Sequence, residues 1–448
     1  MRKKIIFVAI AVVVGAIALY VGVNSIDANP PDVSSFTTTS EIPADEDNAW
    51  CGFVAATNAV KRWVSPSDCE KLSLDEIDAI LEENAEAIAI FQNMARRTKW
   101  YDASARREGC YCFFPVTDFM KIAKLYKAKA ERQIVRGEIA AAVEVVGDLL
   151  MLSRTIQSDA ESIVCWLVAG GTRDFALSIA AQIVASGKAP DEELRRMLAA
   201  LLVGDSETLR RCARQTVNNE FVYVFGTAQH IIDTDVHEFV DAFGDPQGVL
   251  NSDMRYGWTS GPTSRFAYHP NRTKKFYVKI AARAKELLSC DYDKDAWVSF
   301  DRESKSALPR LFGRFIPNHV GWYLFVRVFP AYNELVMDLS LGEFGVSASK
   351  VVVAAELYRR KTRRRPESLD ALVPEFLPSV PTDPFGLGAA LKYDAERGVV
   401  WTVGRNRNFN GERSVVLSVG ANGEIQSGKK SYGKNRKYII NLDGSKVE

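Results

Sequence analysis

The feature of this sequence that most constrains its fold is an apolar segment near the N-terminus. Residues 5–23 contain no charged side chain, and Arg2, Lys3 and Lys4 precede them. A helix of that length rises about 28 Å, which matches the hydrocarbon core of a bilayer. The segment therefore predicts one N-terminal transmembrane helix. Because cations favour the cytoplasmic side, the bulk of the chain is predicted to be extracytoplasmic.

A cleaved secretory signal is the alternative interpretation of this segment. Such a signal usually has a shorter apolar core, followed by a cleavage site made of small residues. Residues 24–28 show no convincing site of that kind, so a retained membrane anchor over residues 1–27 is favoured. We expect a single-pass protein of the bacterial cytoplasmic membrane with a periplasmic body. An extended linker, residues 28–48, rich in Pro, Ser and Thr, would join anchor and body.

Helical periodicity dominates the chain from residue 49 onward. Ser73 and Glu76 form a capping-box pattern at the start of one long helix, and Gly137 separates the two helices of a hairpin. The glycine pair at residues 170–171 is expected to interrupt a further helix. Because no fixed repeat period is found, the pattern predicts a mainly α fold, a bundle of helical hairpins. Its predicted parts are a helical body, residues 49–242, an irregular connection, residues 243–273, and a second helical segment, residues 274–352.

The charge of the chain gives no indication of a polyanionic partner. There are 57 basic and 56 acidic residues, so removing Arg2, Lys3 and Lys4 leaves 54 against 56, a remainder of about −2. Two basic runs, residues 359–365 and 429–437, are interpreted as a solvated helix end and a strand edge. Nucleic-acid binding is therefore not expected.

Residues 353–404 contain several local sequence signals for helices, turns and strands in succession. A cation-rich helix end is broken by Pro366, and a helix of two turns is expected to follow it. Apolar and aromatic residues at 390–393 and 399–403 predict a small antiparallel sheet. Between the helix and the sheet, the sequence predicts a type I turn. The residues that mark this turn and the end of the last strand are Pro381, Asp383, Pro384, Gly386 and Gly404.

This order of signals resembles the C-terminal half of the major pseudopilins of type II secretion systems. The resemblance covers residues 353–411 and implies a long helix packed on a small β-sheet. It therefore assigns residues 353–448 to a pseudopilin-like α+β module, with a calcium-holding loop after the last aromatic strand. The resemblance rests on Tyr358, Pro366-x-x-Leu369, Pro381-x-Asp383-Pro384-Phe385-Gly386, Tyr393 and Gly404.

Two parts of the chain depart from the pseudopilin pattern. The loop after Gly404 carries Arg405 and Arg407, whereas Ca²⁺ needs several oxygen ligands with negative charge among them. No calcium, and no other cofactor, is therefore expected. The N-terminal segment also lacks the glycine cleavage site and the early glutamate of the family, which argues against assembly into a pilus-like fibre.

Cys51 is a weak candidate for a catalytic nucleophile. The run Trp50-Cys51-Gly52 superficially resembles the start of papain-like active-site helices, and a thiolate nucleophile needs a positioned base. The alternative is a small apolar side chain on a helix face, which is favoured because no sequence context selects a base. The four histidines that could serve are His230, His237, His269 and His319.

The densest group of potential metal ligands is His230, Asp233 and His237. On a helix these spacings of three and seven residues share one face, and two imidazoles with a carboxylate suit zinc or iron. A polar helix end is the favoured alternative, so no metal is expected. The seven cysteines are an odd number and show no framework spacing, which leaves at least one thiol unpaired.

No complete catalytic set assembles from these residues. We therefore expect a membrane-anchored envelope protein that binds or scaffolds protein partners, with a link to a secretion or pilus-like system. The first alternative is an extracytoplasmic hydrolase that depends on Cys51. The second is a helical metalloprotein that uses His230 and His237.

Overall fold

The chain forms a mainly helical structure, which confirms the predicted fold class at that level. In this computed structural model, twelve α-helices hold most of the described residues and the strands are short. The structure describes residues 2–38, 41–62, 72–103, 106, 115–226, 268–306, 317–396, 399–404, 416–419, 425–427 and 439–441.

The elements are numbered in chain order. The helices are α1 (Arg2–Asn24), α2 (Ala49–Asn58), α3 (Leu74–Glu83), α4 (Ala85–Ala95), α5 (Val116–Arg136), α6 (Ile139–Ser158), α7 (Ile163–Ala185), α8 (Asp191–Leu202), α9 (Ser206–Asn219), α10 (Pro270–Leu287), α11 (Lys294–Ser306) and α12 (His319–Thr362). A π-helical turn, Glu220–Phe225, extends α9, and a 3-10 turn, Leu369–Leu372, follows α12. The strands are β1 (Lys392–Asp394), β2 (Val399–Trp401), β3 (Val416–Val419), β4 (Ile425–Ser427) and β5 (Ile439–Asn441).

Local sequence chemistry sets several helix ends. Both hydrogen bonds of the capping box between Ser73 and Glu76 are present at the start of α3. Gly137 ends α5 in the left-handed region with φ of 82°, which confirms the hairpin of α5 and α6. The single long helix expected after Ser73 is wrong, since the chain forms α3 and α4 with a break at Asn84. The buried Asn84 side chain accepts the backbone N–H of Lys61 at 3.0 Å and so competes with helix continuation.

Helix α7 lies at the centre of the core, where it packs against α5, α6 and α12. Among the described helices it is the one that is both long and apolar enough to cross a membrane, and 67% of its apolar window is buried inside the protein. The predicted interruption at Gly170 is wrong, because α7 is continuous. A Cβ on Gly170 would lie 2.6 Å from Asp338 Oδ1. The glycine therefore allows α7 and α12 to approach closely, instead of breaking the helix.

The N-terminal region consists of an apolar helix and a linker that contacts the body. From Val12 onward, where side chains are described, the apolar residues of α1 other than Val21 are exposed. The linker has irregular backbone, and its Phe36 is buried against Phe221 with ring centroids 4.2 Å apart. Part of the linker therefore lies against the helical body.

The C-terminal segment combines the end of α12 with a small sheet. One 3-10 turn replaces the two-turn helix expected after Pro366, because Val373 precedes a proline and adopts an extended conformation. Strands β1 and β2 are antiparallel, as predicted, with Lys392 opposite Trp401. The five strands follow the order β1-β2-β5-β3-β4, in which β3 and β5 are parallel and the other pairs are antiparallel.

Candidate binding site

The candidate site is a cleft between α3, α4 and α5, here called the α5 cleft. It has a volume of about 490 Å³, which falls within the usual size of ligand pockets. Lys129, Arg132 and Arg136 form one wall, because their spacings of three and four residues place them on one face of α5. Asp78 of α3 and Gln92 of α4 lie opposite.

The charges in the α5 cleft are held in a fixed arrangement. Arg132 donates two hydrogen bonds to Asp78, at 2.7 and 2.6 Å, and Arg136 approaches the same carboxylate at 3.0 Å. The hydrogen bonds from Arg132, aided by the charges of Arg132 and Arg136, lower the pKa of Asp78 to about 2. A two-pronged guanidinium–carboxylate contact fixes both groups in one geometry. The cleft therefore presents cations that are already oriented.

Lys129 lies deeper in the α5 cleft. Its ammonium donates to Gln92 Oε1 at 3.1 Å and sits 5.5 Å from the centre of the Tyr126 ring. Burial lowers the pKa of Lys129, while the carboxylates of Glu144 and Asp148 oppose that shift. A partly desolvated ammonium gains more from an incoming anionic or carbonyl oxygen than an exposed one does.

A second layer of hydrogen bonds fixes the aromatic side of the α5 cleft. Tyr126 donates its hydroxyl to Asp148 at 2.6 Å, and Arg96 donates to the same carboxylate at 3.2 Å. Burial raises the pKa of Tyr126 above its usual range, and the Asp148 carboxylate adds to the effect. The side chains of Tyr126 and Asp148 are both buried, so the Tyr126 ring beneath Lys129 is held in a fixed position.

Two polar atoms at the cleft wall have unused hydrogen-bonding capacity within the described structure. Arg132 Nη1 is a buried donor and Gln133 Oε1 is a buried acceptor, and neither has a partner there. Leaving such atoms unsatisfied costs roughly 1–3 kcal/mol each. Both atoms are closed to solvent, so they add rigidity requirements to the wall rather than contacts for a ligand.

Cys51 lies near the start of α2, and the described residues around it do not activate its thiol. Its half-buried sulfur contacts Asp45 Oδ1 at 3.7 Å and accepts from Asn48 Nδ2 at 3.6 Å. Burial raises the pKa of the thiol, and the Asp45 carboxylate raises it further. Such surroundings disfavour the thiolate that a cysteine nucleophile requires. Among the candidate bases, the structure describes the side chain of His269 alone, and it is fully buried.

The predicted metal ligands His230, Asp233 and His237 lie outside the described residues, within 227–267. In the part of the chain that is described, no group of three or more His, Cys, Asp or Glu side chains is placed to hold a metal ion. Cys51, Cys165, Cys212 and Cys290 are free thiols, whereas Cys69, Cys110 and Cys112 are not described.

Asp383 organises the predicted turn of the C-terminal segment. The backbone N–H of Gly386 donates to the Asp383 carbonyl at 2.8 Å, which closes the four-residue turn around Pro384, after Pro381. The Asp383 carboxylate accepts from Phe385 N at 3.0 Å, Thr402 Oγ1 at 2.6 Å and Val403 N at 2.8 Å. It thereby joins the turn to the end of β2, just before Gly404, whose φ is 67°. Its role is structural.

The α5 cleft was missed by sequence reasoning. One signal was present: Lys129, Arg132 and Arg136 recur at helical spacing along one edge of the apolar face of α5. Nothing in the sequence showed that Asp78 and Gln92 would face them. No protein-family model, curated protein or solved structure matches the chain.

Proposed function

We propose that this protein is a membrane-anchored binding protein of the bacterial envelope, whose helical body binds a short polar segment of a partner protein in the α5 cleft. The observation that carries the proposal is the α5 cleft itself, in which Asp78 and Gln92 hold Arg132 and Lys129 in fixed positions. The lining carries three cations, Lys129, Arg132 and Arg136, and three carboxylates, Asp78, Glu82 and Glu138. A partner segment with polar groups of both signs would therefore fit it.

The membrane anchor is supported by the exposed apolar surface of α1. An isolated helix that leaves such side chains in water loses the hydrophobic free energy of burial, and a bilayer supplies it. The positive charges of Arg2, Lys3 and Lys4 support an orientation with the body in the periplasm. The exposed residues are Val12, Val13, Val14, Ile17, Leu19, Tyr20 and Val23, each at least 49% exposed.

A link to a secretion-like assembly is part of the same proposal. The pseudopilin-like order of signals at residues 353–411 supports it, together with the Asp383 turn that joins α12 to the small sheet. In this proposal the helical body binds the partner and the C-terminal segment adds a second contact within the assembly.

Site-specific photocrosslinking in cells tests the binding proposal. A photoreactive amino acid replaces Ala89, which lines the α5 cleft, or Glu86, which lies on the same helix α4 outside it. Both side chains are exposed, so neither replacement disturbs the core. The expected result is one or a few partner proteins captured from position 89 and not from position 86, identified by mass spectrometry.

A charge variant supplies the matched control. Lys129→Gln removes the cation inside the α5 cleft, whereas Lys124→Gln removes a cation of the same helix outside it. Capture from position 89 should fall in the first variant and stay unchanged in the second. Equal capture from positions 86 and 89, or no capture from a protein that is properly inserted in the membrane, would refute the binding site.

A further inference from the structure

The linker attaches one end of a basic helix to the exit of the membrane anchor. Asp27 accepts the backbone N–H groups of Asn271 at 2.8 Å and Arg272 at 3.1 Å, so it caps the N-terminus of α10. The Arg272 guanidinium also donates to the Ile26 carbonyl at 3.0 Å. No side chain of α10 itself caps this end. The linker thus supplies the cap from a distant part of the chain.

The contact continues along α10. Lys285 donates to the Ser35 carbonyl at 3.4 Å and lies 5.0 Å from the centre of the Phe36 ring. Gln215 of α9 donates to the Thr37 carbonyl at 3.0 Å. Residues 26–37 are therefore held against α9 and α10, and this part of the linker adds no reach between anchor and body.

The distance from anchor to α10 follows from chain length. Asp27 lies three residues beyond Asn24, the last residue of α1, and three Cα–Cα steps span at most about 11 Å. The Asp27 backbone is therefore within about 11 Å of the end of α1, and its side chain bonds the start of α10. That distance is close to one Debye length at physiological salt, about 8 Å, over which surface charges still interact.

The charge of α10 differs sharply from that of the whole chain. Its eighteen residues contain one acid, Glu286, so their formal charge is +5 in a chain of net charge +1, and Asp27 offsets one unit. Buried Thr273, Tyr277 and Ile280 fix the face that meets the core. The cations of α10 are Arg272, Lys274, Lys275, Lys279, Arg283 and Lys285.

The first cations of α10 are open to solvent. Lys275 and Lys279 are exposed and Lys274 is half-buried. Within the described residues, Lys274 and Lys275 form no ion pair, whereas Arg283 is paired with Glu286 at 2.5 Å. The positive end of the helix dipole lies on the same side as Lys274 and Lys275.

We propose that the first two turns of α10 form a lipid-headgroup surface that holds the helical body against the membrane through anionic phospholipids. This inference rests on the proposed membrane anchor, since α1 is what brings the surface to the bilayer. Phosphate groups of anionic lipids fit the ammonium groups of half-buried Lys274 and exposed Lys275, and basic residues close to an anionic surface are attracted to it. An acidic partner protein is the competing occupant. The short connection to α1 favours lipid.

The test measures lysine reactivity in full-length protein inserted in vesicles. A membrane-impermeant acylating reagent labels exposed amines, and mass spectrometry gives the rate for each lysine. Vesicles of phosphatidylcholine alone are compared with vesicles in which part of that lipid is phosphatidylglycerol. Labelling of Lys274 and Lys275 should become roughly fivefold slower with the anionic lipid and recover at high salt. Exposed Lys188 and Lys392, which lie elsewhere, should not change.

Two variants separate a specific surface from a general salt effect. Asp27→Ala removes the cap that holds α10 to the linker, so the protection by phosphatidylglycerol should decrease. Asp27→Asn keeps one of the two acceptor oxygens and should retain part of the protection.

Each outcome has one meaning. If the protein does not co-float with either type of vesicle in a density gradient, both the membrane anchor and the headgroup surface are refuted. If the protein co-floats with the vesicles but Lys274 and Lys275 react equally in both, the anchor stands and the headgroup surface is wrong. If Lys274→Gln with Lys275→Gln abolishes capture of a protein partner in cells while lipid composition has no effect on labelling, the surface binds protein instead of lipid.

Discussion

The buried contact between α7 and α12 allows a test in which one guanidinium serves as its own control. Arg173 Nη2 lies 3.2 Å from Asp338 Oδ1 and 3.2 Å from Asp174 Oδ1. The Asp338 side chain is 18% exposed and the Asp174 side chain is 66% exposed. Replacing either aspartate by alanine removes a carboxylate at the same distance from the same cation. The two variants differ in burial, and Asp174 also accepts from Arg173 Nε at 3.2 Å, so the exposed carboxylate has the larger number of contacts with the guanidinium.

The expected magnitudes follow from the dielectric response of the two sites. At 3.2 Å, a pair of unit charges interacts by about 5 kcal/mol at an effective dielectric constant of 20 and by about 1 kcal/mol at 80. Breaking a buried pair typically costs about 3–5 kcal/mol, because the remaining charge is uncompensated, whereas an exposed pair contributes about 0–1 kcal/mol. Asp338 also accepts from Trp166 Nε1 at 3.1 Å, a buried group that Asp338→Ala leaves unsatisfied.

Urea unfolding of the full-length protein in detergent, followed by tryptophan fluorescence, measures these losses. Asp338→Ala should lower the free energy of unfolding by roughly 3–5 kcal/mol and Asp174→Ala by less than about 1 kcal/mol. Asp338→Asn should fall between them, since an amide can still accept from Trp166. The double variant Arg173→Met with Asp338→Leu should be milder than Asp338→Ala alone, because it leaves no buried charge.

Equal losses of stability in the two variants would contradict a role for burial. If Asp338→Ala and Asp174→Ala agree within about 0.5 kcal/mol, burial does not decide the strength of this contact. If the double variant is worse than Asp338→Ala, the ion pair stabilises the fold through more than charge compensation.

Three further predictions concern other parts of the fold. Gly52→Ala should destabilise the protein by about 1–3 kcal/mol, because its Cβ would lie 2.7 Å from Met94 Cβ. Gly147→Ala, which has open space around its Cβ, should raise the stability by about 0.5–1 kcal/mol. Thermal melting of both variants checks this. Burial raises the pKa of Glu220 to about 7 from 4.5, so wild-type stability should fall as pH rises through that interval. Glu220→Gln should therefore gain roughly 3 kcal/mol above pH 7 and nothing below pH 4, as melting against pH would show. Asp383→Ala removes three hydrogen bonds, so amide exchange should accelerate in residues 381–404 and stay unchanged in α7.

Much of the fold could be predicted because its signals are local. The capping box at Ser73, the left-handed Gly137 and the turn at Asp383 each act through neighbours within a few residues. The errors arose where a distant contact decided the outcome. Asn84 ends α3 by bonding the backbone of Lys61, and Gly170 serves the approach of Asp338 rather than a helix break.

The candidate site was less predictable than the fold for the same reason. The α5 cleft depends on Asp78 and Gln92 facing α5 across more than thirty residues of chain. Spacing alone placed Lys129 and Arg132 on one face, but it could not show that Arg132 keeps an unsatisfied donor in a buried position. Conversely, a short motif indicated Cys51 as a weak candidate nucleophile, but its surroundings in the structure raise the pKa of the thiol.

The unbroken course of α12 has a consequence for how this chain can change in evolution. The helix has 44 residues and is about 66 Å long, and it carries both Asp338 in the core and Glu356 beside the C-terminal segment. Each residue advances a helix by about 100°, so one inserted residue between these two positions would rotate the C-terminal segment by that angle relative to the core. Insertions and deletions in this part of α12 should therefore be selected against, even where the inserted side chain would face solvent.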